Sequence, residues 1–207
     1  MSRVLVVGAS GGTGRCVLEL GLARGIAMTA LVRTPDKLHE LRERVRVVVG
    51  DPTRAADVAS AARDHDAVIS ALGARGPGPS SIHVQGMHAL VEALEAAPRR
   101  AVMVSAAMLF HDAGVLAALL RTTVLRHVAR DSREAEELLV KSALDWTIVR
   151  PPRLTHGAPT GSWRVAEGRM PSGWAGAISR ADVAECLLAE ALREAPSRRL
   201  LGVACVG

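Results

Sequence analysis

Near the start of the chain, Val4-Leu5-Val6-Val7 leads directly into Gly8-Ala9-Ser10-Gly11-Gly12-Thr13-Gly14-Arg15. Four apolar residues in a row predict a short buried strand, and Gly8, Gly11 and Gly14 follow it at regular spacing. We expect Gly8 to make a tight turn, Gly11 to let backbone N–H groups approach a ligand, and Gly14 to let a helix pack closely on the strand. Because a helix N-terminus attracts anions, this spacing predicts a loop that binds the pyrophosphate of a dinucleotide.

Short apolar runs and helical patterns alternate along the rest of the chain. The apolar runs are rich in β-branched residues and apolar on both faces, which is typical of parallel strands covered by helices on each side. Strands are predicted at residues 3–7, 27–32, 45–49, 67–71, 101–105, 146–149 and 200–206, and helices at 13–23, 35–44, 54–64, 80–97, 132–142 and 179–194. We therefore predict an α/β fold, a doubly wound parallel sheet (Rossmann fold), with residues 1–207 forming a single domain. The loop at 73–79 and an irregular, substrate-side segment at 151–176 would lie at the carboxyl ends of strands, where such sheets bind ligands.

The composition argues against a nucleic-acid or membrane partner. The net charge is +5, but aromatic residues make up only 2% of the chain and the arginines are scattered. One basic cluster is followed by acidic residues at helical spacing, which predicts a solvated helix face with local ion pairs. This cluster consists of Arg121, Arg126, Arg130 and Arg133, with Glu134 and Glu137 after it. No apolar run is long enough for a transmembrane helix.

The cysteines and the N-terminus indicate the compartment. Cys16, Cys186 and Cys205 are far apart and outside any CxxC spacing, so we predict reduced thiols in a cytoplasmic protein. Met1-Ser2-Arg3 enters the first predicted strand at once, and we expect no signal peptide before it.

The end of the second predicted strand indicates which dinucleotide binds. In Rossmann folds that bind NAD, an acidic residue at this place accepts a hydrogen bond from the ribose 2′-hydroxyl. Here the strand is followed by Arg33, whose guanidinium favours a 2′-phosphate, and Arg15 is a second cation nearby. Asp36 is the competing acidic candidate, but it falls in the first turn of the next predicted helix, where the helix dipole accounts for it. The prediction is therefore NADP(H) rather than NAD(H).

Longer stretches carry a family resemblance. They are GASGGTGR, LVRTPDKL, VVVGDPTRAADV, ISALG, VSAAM, LDWTIVRPPRLTHGAPTG and ISRADVAECLL. In this order, along nearly the whole chain, they resemble the atypical short-chain dehydrogenases/reductases, an NAD(P)H-binding group that includes NmrA-like proteins. Within that group the resemblance is greatest to the biliverdin-IXβ reductases, also known as flavin reductases.

The resemblance implies positions for the cofactor contacts. From the adenosine end to the nicotinamide end, they are Arg33 at the 2′-phosphate, Asp51 and Pro52 beside the adenine, Ser10, Gly12 and Thr13 at the pyrophosphate, Leu72, Gly73 and Arg75 along the cofactor, and Ser105, Pro151 and Pro152 near the nicotinamide.

Two departures bear on the predicted chemistry. The main short-chain dehydrogenase branch moves the substrate proton with a Tyr-x-x-x-Lys pair, and this chain contains no tyrosine. The resembled reductases also work without that pair, because a conjugated acceptor takes its compensating proton from water. The resembled reductases have a histidine after the double proline, whereas this chain has Arg153. Arginine stays protonated and cannot act as a general acid near neutral pH, but its charge can stabilise negative charge on an acceptor. We predict an NADPH-dependent reductase of a small planar acceptor (flavin, quinone or tetrapyrrole-like), with Ser105 and Arg153 as catalytic residues.

Other functions and sites stay as alternatives. A non-catalytic NADP(H) sensor of the NmrA-like type shares the expected fold and also lacks the tyrosine. A nucleotide-sugar epimerase or dehydratase fits less well, since such enzymes commonly need the tyrosine and a larger carboxyl-terminal domain. His83 and His88 lie on one predicted helix without a further ligand at usable spacing, so no metal site is predicted.

The surroundings of the acceptor are less defined by the sequence. An apolar platform is predicted from residues in the irregular segments, namely Met108, Phe110, Trp163 and Trp174, with His111 and His156 at its edge. From the resemblance we expect a monomer or weak homodimer.

Overall fold

The computed structural model describes residues 2–74, 76, 78–95, 100–196 and 198–205. The strands are β1 (Arg3–Val7), β2 (Ala27–Val32), β3 (Arg46–Val49), β4 (Ala67–Ser70), β5 (Arg100–Val104), β6 (Asp145–Arg150), β7 (Arg153–Thr155), β8 (Trp163–Glu167), β9 (Ala177–Ser179) and β10 (Arg198–Cys205). The α-helices are α1 (Gly12–Ala23), α2 (Ala55–Ala62), α3 (Ile82–Leu94), α4 (Val115–Thr122), α5 (Arg126–Lys141) and α6 (Arg180–Ala191). Segments of 3₁₀ helix lie at Pro35–Glu43, Ala107–Leu109 and His111–Ala113.

Alternate residues of the strands face two separate apolar layers. In β1, Val4 and Val6 join a cluster with residues of α1 and α6, whereas Leu5 and Val7 join a cluster with residues of α2, α3 and α5. Successive strand residues point to opposite faces, and β1 is buried on both. This explains why the four buried residues of β1, Val4 to Val7, are all apolar and do not alternate with polar residues.

The main sheet has eight strands in the order β3-β2-β1-β4-β5-β6-β10-β8. From β1 the chain moves outward through β2 to β3 and then returns to place β4 on the other side of β1, so the direction of winding reverses between β1 and β4. In such sheets a crevice opens at this reversal, beyond the carboxyl ends of the strands. The predicted doubly wound α/β fold is confirmed.

The sheet departs from the prediction at its far edge. β10 pairs in parallel with β6, but β8 pairs antiparallel with β10, so the sheet is mostly rather than wholly parallel. The segment predicted to be irregular contains β7 and β8, and β7 pairs with β9 in a small second sheet. These strands were missed because they are short and largely exposed, which leaves no clear apolar pattern.

Two predicted helices also differ. The predicted helix at 35–44 is a 3₁₀ segment broken at His39, whose φ of 52° and ψ of −131° are not helical. α5 begins at Arg126, well before the predicted residue 132. Its early turns bury Asp131 and Ser132, polar residues that weaken the apolar periodicity. α4 was not predicted. The ends of the fourth predicted helix (96–97) and of the last predicted strand (206) lie outside the described residues.

Candidate functional site

A cavity of about 500 Å³ follows the carboxyl ends of β1, β2, β4 and β5. This volume falls in the range of small-molecule sites. Residues predicted from the sequence that line it are Gly8, Ser10, Gly11, Gly12, Thr13, Arg33, Pro52, Leu72, Gly73 and Ser105. The crevice at the reversal between β1 and β4 thus joins residues that follow five strands, β1 to β5.

The glycine loop has the geometry of a ligand cradle. Gly8 has a φ of +79°, and a Cβ at this position would lie 2.6 Å from the carbonyl oxygen of Ala71. The Gly11 N–H donates to the Gly8 carbonyl at 3.0 Å and closes the turn. Gly11, the N-cap of α1, has no side chain to cap the first N–H groups of the helix. Those N–H groups lack acceptors within the helix, so the loop presents donors and the positive end of a dipole to an anion.

Cations lie at the β2 end of the cavity. Arg33 and Lys37 both line it, and both residues are exposed. The predicted second cation, Arg15, is engaged elsewhere: its guanidinium contacts Glu40 at 3.5 Å and donates to the Lys37 carbonyl at 3.3 Å. Asp36 forms an ion pair with Arg42 at 2.6 Å and is not among the lining residues. Lys37 was missed, although its place four residues after Arg33 was a usable signal.

Pro52 and Asp51 differ in their relation to the cavity. Pro52 is buried and lines the cavity, whereas Asp51 lies outside the lining residues and serves the local turn. Asp51 accepts hydrogen bonds from the backbone N–H of Thr53 at 2.9 Å and from its hydroxyl at 2.7 Å. These bonds, aided by the charge of Arg33, lower the pKa of Asp51 below its ordinary value. Arg75, predicted along the cofactor, lies outside the described residues.

Ser105 stands at the opposite end of the cavity, just after β5. Its backbone N–H donates to the Val149 carbonyl at 2.8 Å, which extends the β5–β6 pairing by one residue. Its hydroxyl oxygen is buried and has no hydrogen-bond partner among the described residues. A buried polar atom without a partner inside a cavity is costly unless a ligand or water satisfies it, so this hydroxyl fits a polar ligand.

α5 contributes two lining residues, Val128 and Ser132, which are four positions apart on one helix face. The hydroxyl of Ser132 lies 3.0 Å from Nδ1 of His83, which also lines the cavity. Burial lowers the pKa of His83, so its imidazole is neutral near pH 7. The buried carboxylate of Asp131 accepts from the backbone N–H groups of His83 and Val84 at 3.1 and 3.0 Å, and so caps the N-terminus of α3.

Arg180, the first residue of α6, reaches the glycine loop from the far end of the sequence. It lines the cavity, and a Cβ added to Gly12 would lie 2.8 Å from its Nε and 2.9 Å from its Cδ. Its Nη1 atom is buried and unpartnered among the described residues. The sequence placed Arg180 at a helix start but contained no signal that it meets Gly12.

Several predicted site residues are not brought to the cavity. Gly14 has a packing role, since a Cβ there would overlap the Gly8 carbonyl. Pro151 is buried and its carbonyl accepts from Ala107 at 2.8 Å, while Pro152 and Arg153 also lie outside the lining residues. Arg153 is exposed, and its neighbour Leu154 lines the cavity instead, because successive residues of β7 point in opposite directions.

The predicted apolar platform does not form at the cavity. None of its residues is among those that line the cavity in the described part of the chain. Phe110 is buried beneath Arg150, Trp174 packs in a separate small cluster, and the Trp163 indole N–H donates to Glu185 at 2.9 Å. His111 and His156 are exposed. The aromatic side chains were misassigned because the sequence of an irregular segment does not show whether an aromatic residue packs in the core or lines a cavity.

The remaining predictions concern charge, metals and membranes. In the basic cluster Arg130 pairs with Glu134 at 2.7 Å, an expected i, i+4 ion pair, whereas Glu137 pairs with Lys141. Within the described ranges, no group of three or more His, Cys, Asp or Glu side chains has the arrangement of a metal site. The same ranges contain no helix of the length and apolar character needed to cross a bilayer.

Comparison with known proteins agrees with this geometry. The chain matches the model of an NAD(P)H-binding family over residues 8–194. The protein belongs to this NAD(P)H-binding family. Its cofactor is therefore a nicotinamide dinucleotide, and the glycine loop, the cation-lined β2 end and the buried hydroxyl at β5 fit such a molecule.

Individual relatives and solved structures resemble the chain along nearly its whole length. The chloroplast protein At2g34460 of Arabidopsis thaliana is 30% identical, with 97% of this chain and 76% of that protein covered. A structure from Bacillus halodurans, assigned to the NAD-dependent epimerases/dehydratases, is 29% identical with a TM-score of 0.80 and covers 99% of this chain and 94% of that one. ChuY, an anaerobilin reductase from Escherichia coli O157:H7, is 26% identical with a TM-score of 0.79 and covers 98% and 97%. The expected likeness to NAD(P)H-binding reductases is confirmed.

Proposed function

We propose that this protein is an NADPH-dependent reductase that transfers a hydride to a small planar conjugated acceptor such as a flavin, a quinone or a tetrapyrrole. One observation carries the proposal: among the described residues that line the cavity none is acidic, while Arg33, Lys37 and Arg180 are cationic. A cavity with this charge matches a ligand with several phosphates. The likeness to ChuY supports a reductase that acts on a conjugated acceptor.

The choice of NADPH over NADH rests on Arg33 and Lys37. Arg33 directly follows β2, and Lys37 lies in the 3₁₀ segment after it. Both line the end of the cavity where the ribose of the adenosine half sits in Rossmann folds. A guanidinium and an ammonium donate to a 2′-phosphate, but neither offers an acceptor to a 2′-hydroxyl. An exposed arginine at this place, with Lys37 beside it, therefore favours NADPH.

The opposite end of the cavity would hold the nicotinamide. The cofactor supplies the hydride, and the protein's part is to bind, orient and shield the reacting groups. The hydroxyl of Ser105, which is buried and has no partner among the described residues, would donate a hydrogen bond to the carboxamide or to the acceptor. Leu154 and Val128 line the cavity and would provide apolar contacts for the nicotinamide or the acceptor. Pro151 and Pro152 are not among the lining residues. They would contribute indirectly, by fixing the conformation of the backbone that brings Leu154 to the cavity.

Proton delivery would not involve a phenol. The two α5 residues that face the cavity, Val128 and Ser132, have the spacing of a Tyr-x-x-x-Lys pair but the chemistry of neither member. An alcohol–ketone reaction would lack its usual proton carrier, whereas a conjugated acceptor takes a proton from water. Arg153, exposed on β7, would attract negative charge on an acceptor as it approaches the cavity.

The test is turnover with purified protein. NADPH oxidation with FMN or dichlorophenolindophenol as acceptor is followed by the loss of nicotinamide absorbance, and NADPH binding is measured separately by calorimetry. We expect saturable oxidation that requires both the protein and an acceptor. Tight NADPH binding with no turnover for any flavin or quinone would contradict the reductase and support the NADP(H) sensor.

We further propose that the protein is a cytoplasmic monomer or weak homodimer. Cys16, Cys186 and Cys205 are all free thiols, which fits a reducing compartment. Burial raises the pKa of Cys186 to about 12, so this thiol is unreactive and serves packing.

A further inference from the structure

Arg180 stands in a position that protein contacts alone do not explain. It is the first residue of α6, where the positive end of the helix dipole disfavours a cation. Its Nη1 atom is nevertheless buried, without a partner among the described residues. A buried guanidinium nitrogen without an acceptor destabilises the folded protein. Such unsatisfied groups are typical of ligand-binding sites, where the ligand supplies the missing acceptor.

The direction of the side chain indicates the ligand group. Nε and Cδ of Arg180 lie against Gly12, in the space that a Cβ of any other residue would fill. Gly12 begins α1, whose free N–H groups face the pyrophosphate in the proposed function. An anion held by those N–H groups would therefore lie next to the guanidinium.

The position of α6 indicates which phosphate is contacted. α6 packs against α1, β4 and β5, and Ser105 directly follows β5. In the strand order, β4 and β5 lie on the opposite side of β1 from β2, the strand that Arg33 follows. β9, which ends just before Arg180, pairs with β7, and β7 carries Leu154 at the nicotinamide end of the proposed site. The guanidinium thus approaches the glycine loop from the nicotinamide side.

We propose that Arg180 binds the phosphate on the nicotinamide side of the dinucleotide's pyrophosphate. The inference rests on the proposed binding of NADP(H), and it adds a cation from the end of the chain to the glycine loop at its beginning. The charge-assisted hydrogen bond would satisfy Nη1 and close the cavity over the middle of the cofactor.

The experiment compares three ligands by isothermal titration calorimetry. NADP⁺ and 2′-phospho-ADP-ribose both contain the nicotinamide-side phosphate, whereas 2′,5′-ADP ends at the adenosine-side phosphate. For Arg180→Gln we expect the Kd of the first two ligands to rise about 10- to 100-fold, as for the loss of one charge-assisted hydrogen bond, and that of 2′,5′-ADP to change less than about twofold. Arg164→Gln, with the same charge change on exposed β8, is the matched control and should leave all three values unchanged.

A second variant covers the case in which Arg180→Gln does not fold. Arg180→Lys keeps the charge but not the forked donors, so we expect an increase of about three- to tenfold for NADP⁺ and 2′-phospho-ADP-ribose alone. Equal losses for all three ligands, a loss for NADP⁺ only, or no loss would each overturn the assignment of Arg180. Failure of the wild-type protein to bind any of the three ligands would instead contradict the proposed function.

Discussion

Thr160 donates two hydrogen bonds to the buried carboxylate of Asp182, from its backbone N–H at 2.8 Å and from its hydroxyl at 3.0 Å. The Gly161 N–H and the Ser179 hydroxyl donate further bonds, at 3.1 and 2.8 Å. Burial by itself raises the pKa of Asp182, but these hydrogen bonds outweigh it and lower the pKa below its ordinary value. Asp182 thereby fixes the segment between β7 and β8 to the helix that begins with Arg180.

Replacing this carboxylate by an amide tests its contribution to stability. Asp182→Asn should lower the free energy of unfolding by about 1.5–3 kcal/mol at neutral pH, because hydrogen bonds to a charged group are lost. Urea unfolding measures the change. Asp36→Asn is the matched control: Asp36 is exposed and pairs with exposed Arg42, so we expect less than about 1 kcal/mol.

The pH dependence of stability follows from the lowered pKa of Asp182. In the unfolded chain an aspartate titrates near about 3.9, so the stabilisation is complete above that pH and is lost as the pH falls through the lower folded-state value. The difference in unfolding free energy between wild type and Asp182→Asn should therefore shrink below about pH 4. A difference that stayed constant into this acidic range would show that the charge of Asp182 is not what stabilises the fold.

Charge reversal at Arg33 tests the selection of NADPH. Arg33→Glu should raise the Kd for NADPH about 30- to 150-fold, since about 2–3 kcal/mol of charge-assisted hydrogen bonding is lost, and should leave NADH within a few fold. Calorimetry with both cofactors gives the ratio. Arg164→Glu, on exposed β8, provides the same charge change away from the cavity. Equal losses for the two cofactors would exclude Arg33 as the selector.

The unpartnered hydroxyl of Ser105 gives opposite expectations for stability and catalysis. Ser105→Ala removes a buried oxygen with no partner among the described residues, so the free energy of unfolding should change by less than about 1 kcal/mol. If this hydroxyl donates to the cofactor or acceptor, kcat should fall about tenfold. Thermal unfolding and NADPH oxidation measure the two effects. A marked loss of stability with unchanged kcat would assign Ser105 a structural role.

A buried ion pair supports the turn that follows Ser105. Arg150 pairs with Glu136, with side chains 12% and 7% exposed, and its guanidinium lies 4.5 Å from the centroid of the Phe110 ring. Glu136→Gln leaves a buried guanidinium without its counterion and should cost about 3–5 kcal/mol in urea unfolding. Adding Arg150→Met to Glu136→Gln should recover part of this loss, because no unpaired charge then remains.

An exposed ion pair on the same helix is the control for this prediction. Arg130 and Glu134 of α5 are 80% and 44% exposed. Glu134→Gln should therefore cost less than about 1 kcal/mol. Similar losses for Glu136→Gln and Glu134→Gln would contradict the argument that burial makes the Arg150–Glu136 pair important.

Some of these features follow from local sequence. The apolar run before Gly8 predicts a strand buried on both faces, and Arg33 stands where β2 ends in both the pattern and the structure. Lys37 was overlooked, and it lies in a 3₁₀ segment broken at His39, where a regular helix was predicted. Arg153 was predicted in the site, but the alternation of β7 turns Leu154 toward the cavity instead.

The sequence by itself determined the order of the parallel strands β1 to β6 and β10, the glycine turn after β1, the cation after β2 and the lack of any tyrosine. These properties depend on backbone freedom, apolar periodicity and residue identity, all of which act over a few neighbouring residues. Only the tertiary structure decided that Arg180 meets Gly12 and that Ser132 faces the cavity with His83. These contacts form because the crossover connections bring strand ends that are distant in sequence to the same edge of the sheet. No short stretch of sequence encodes that arrangement.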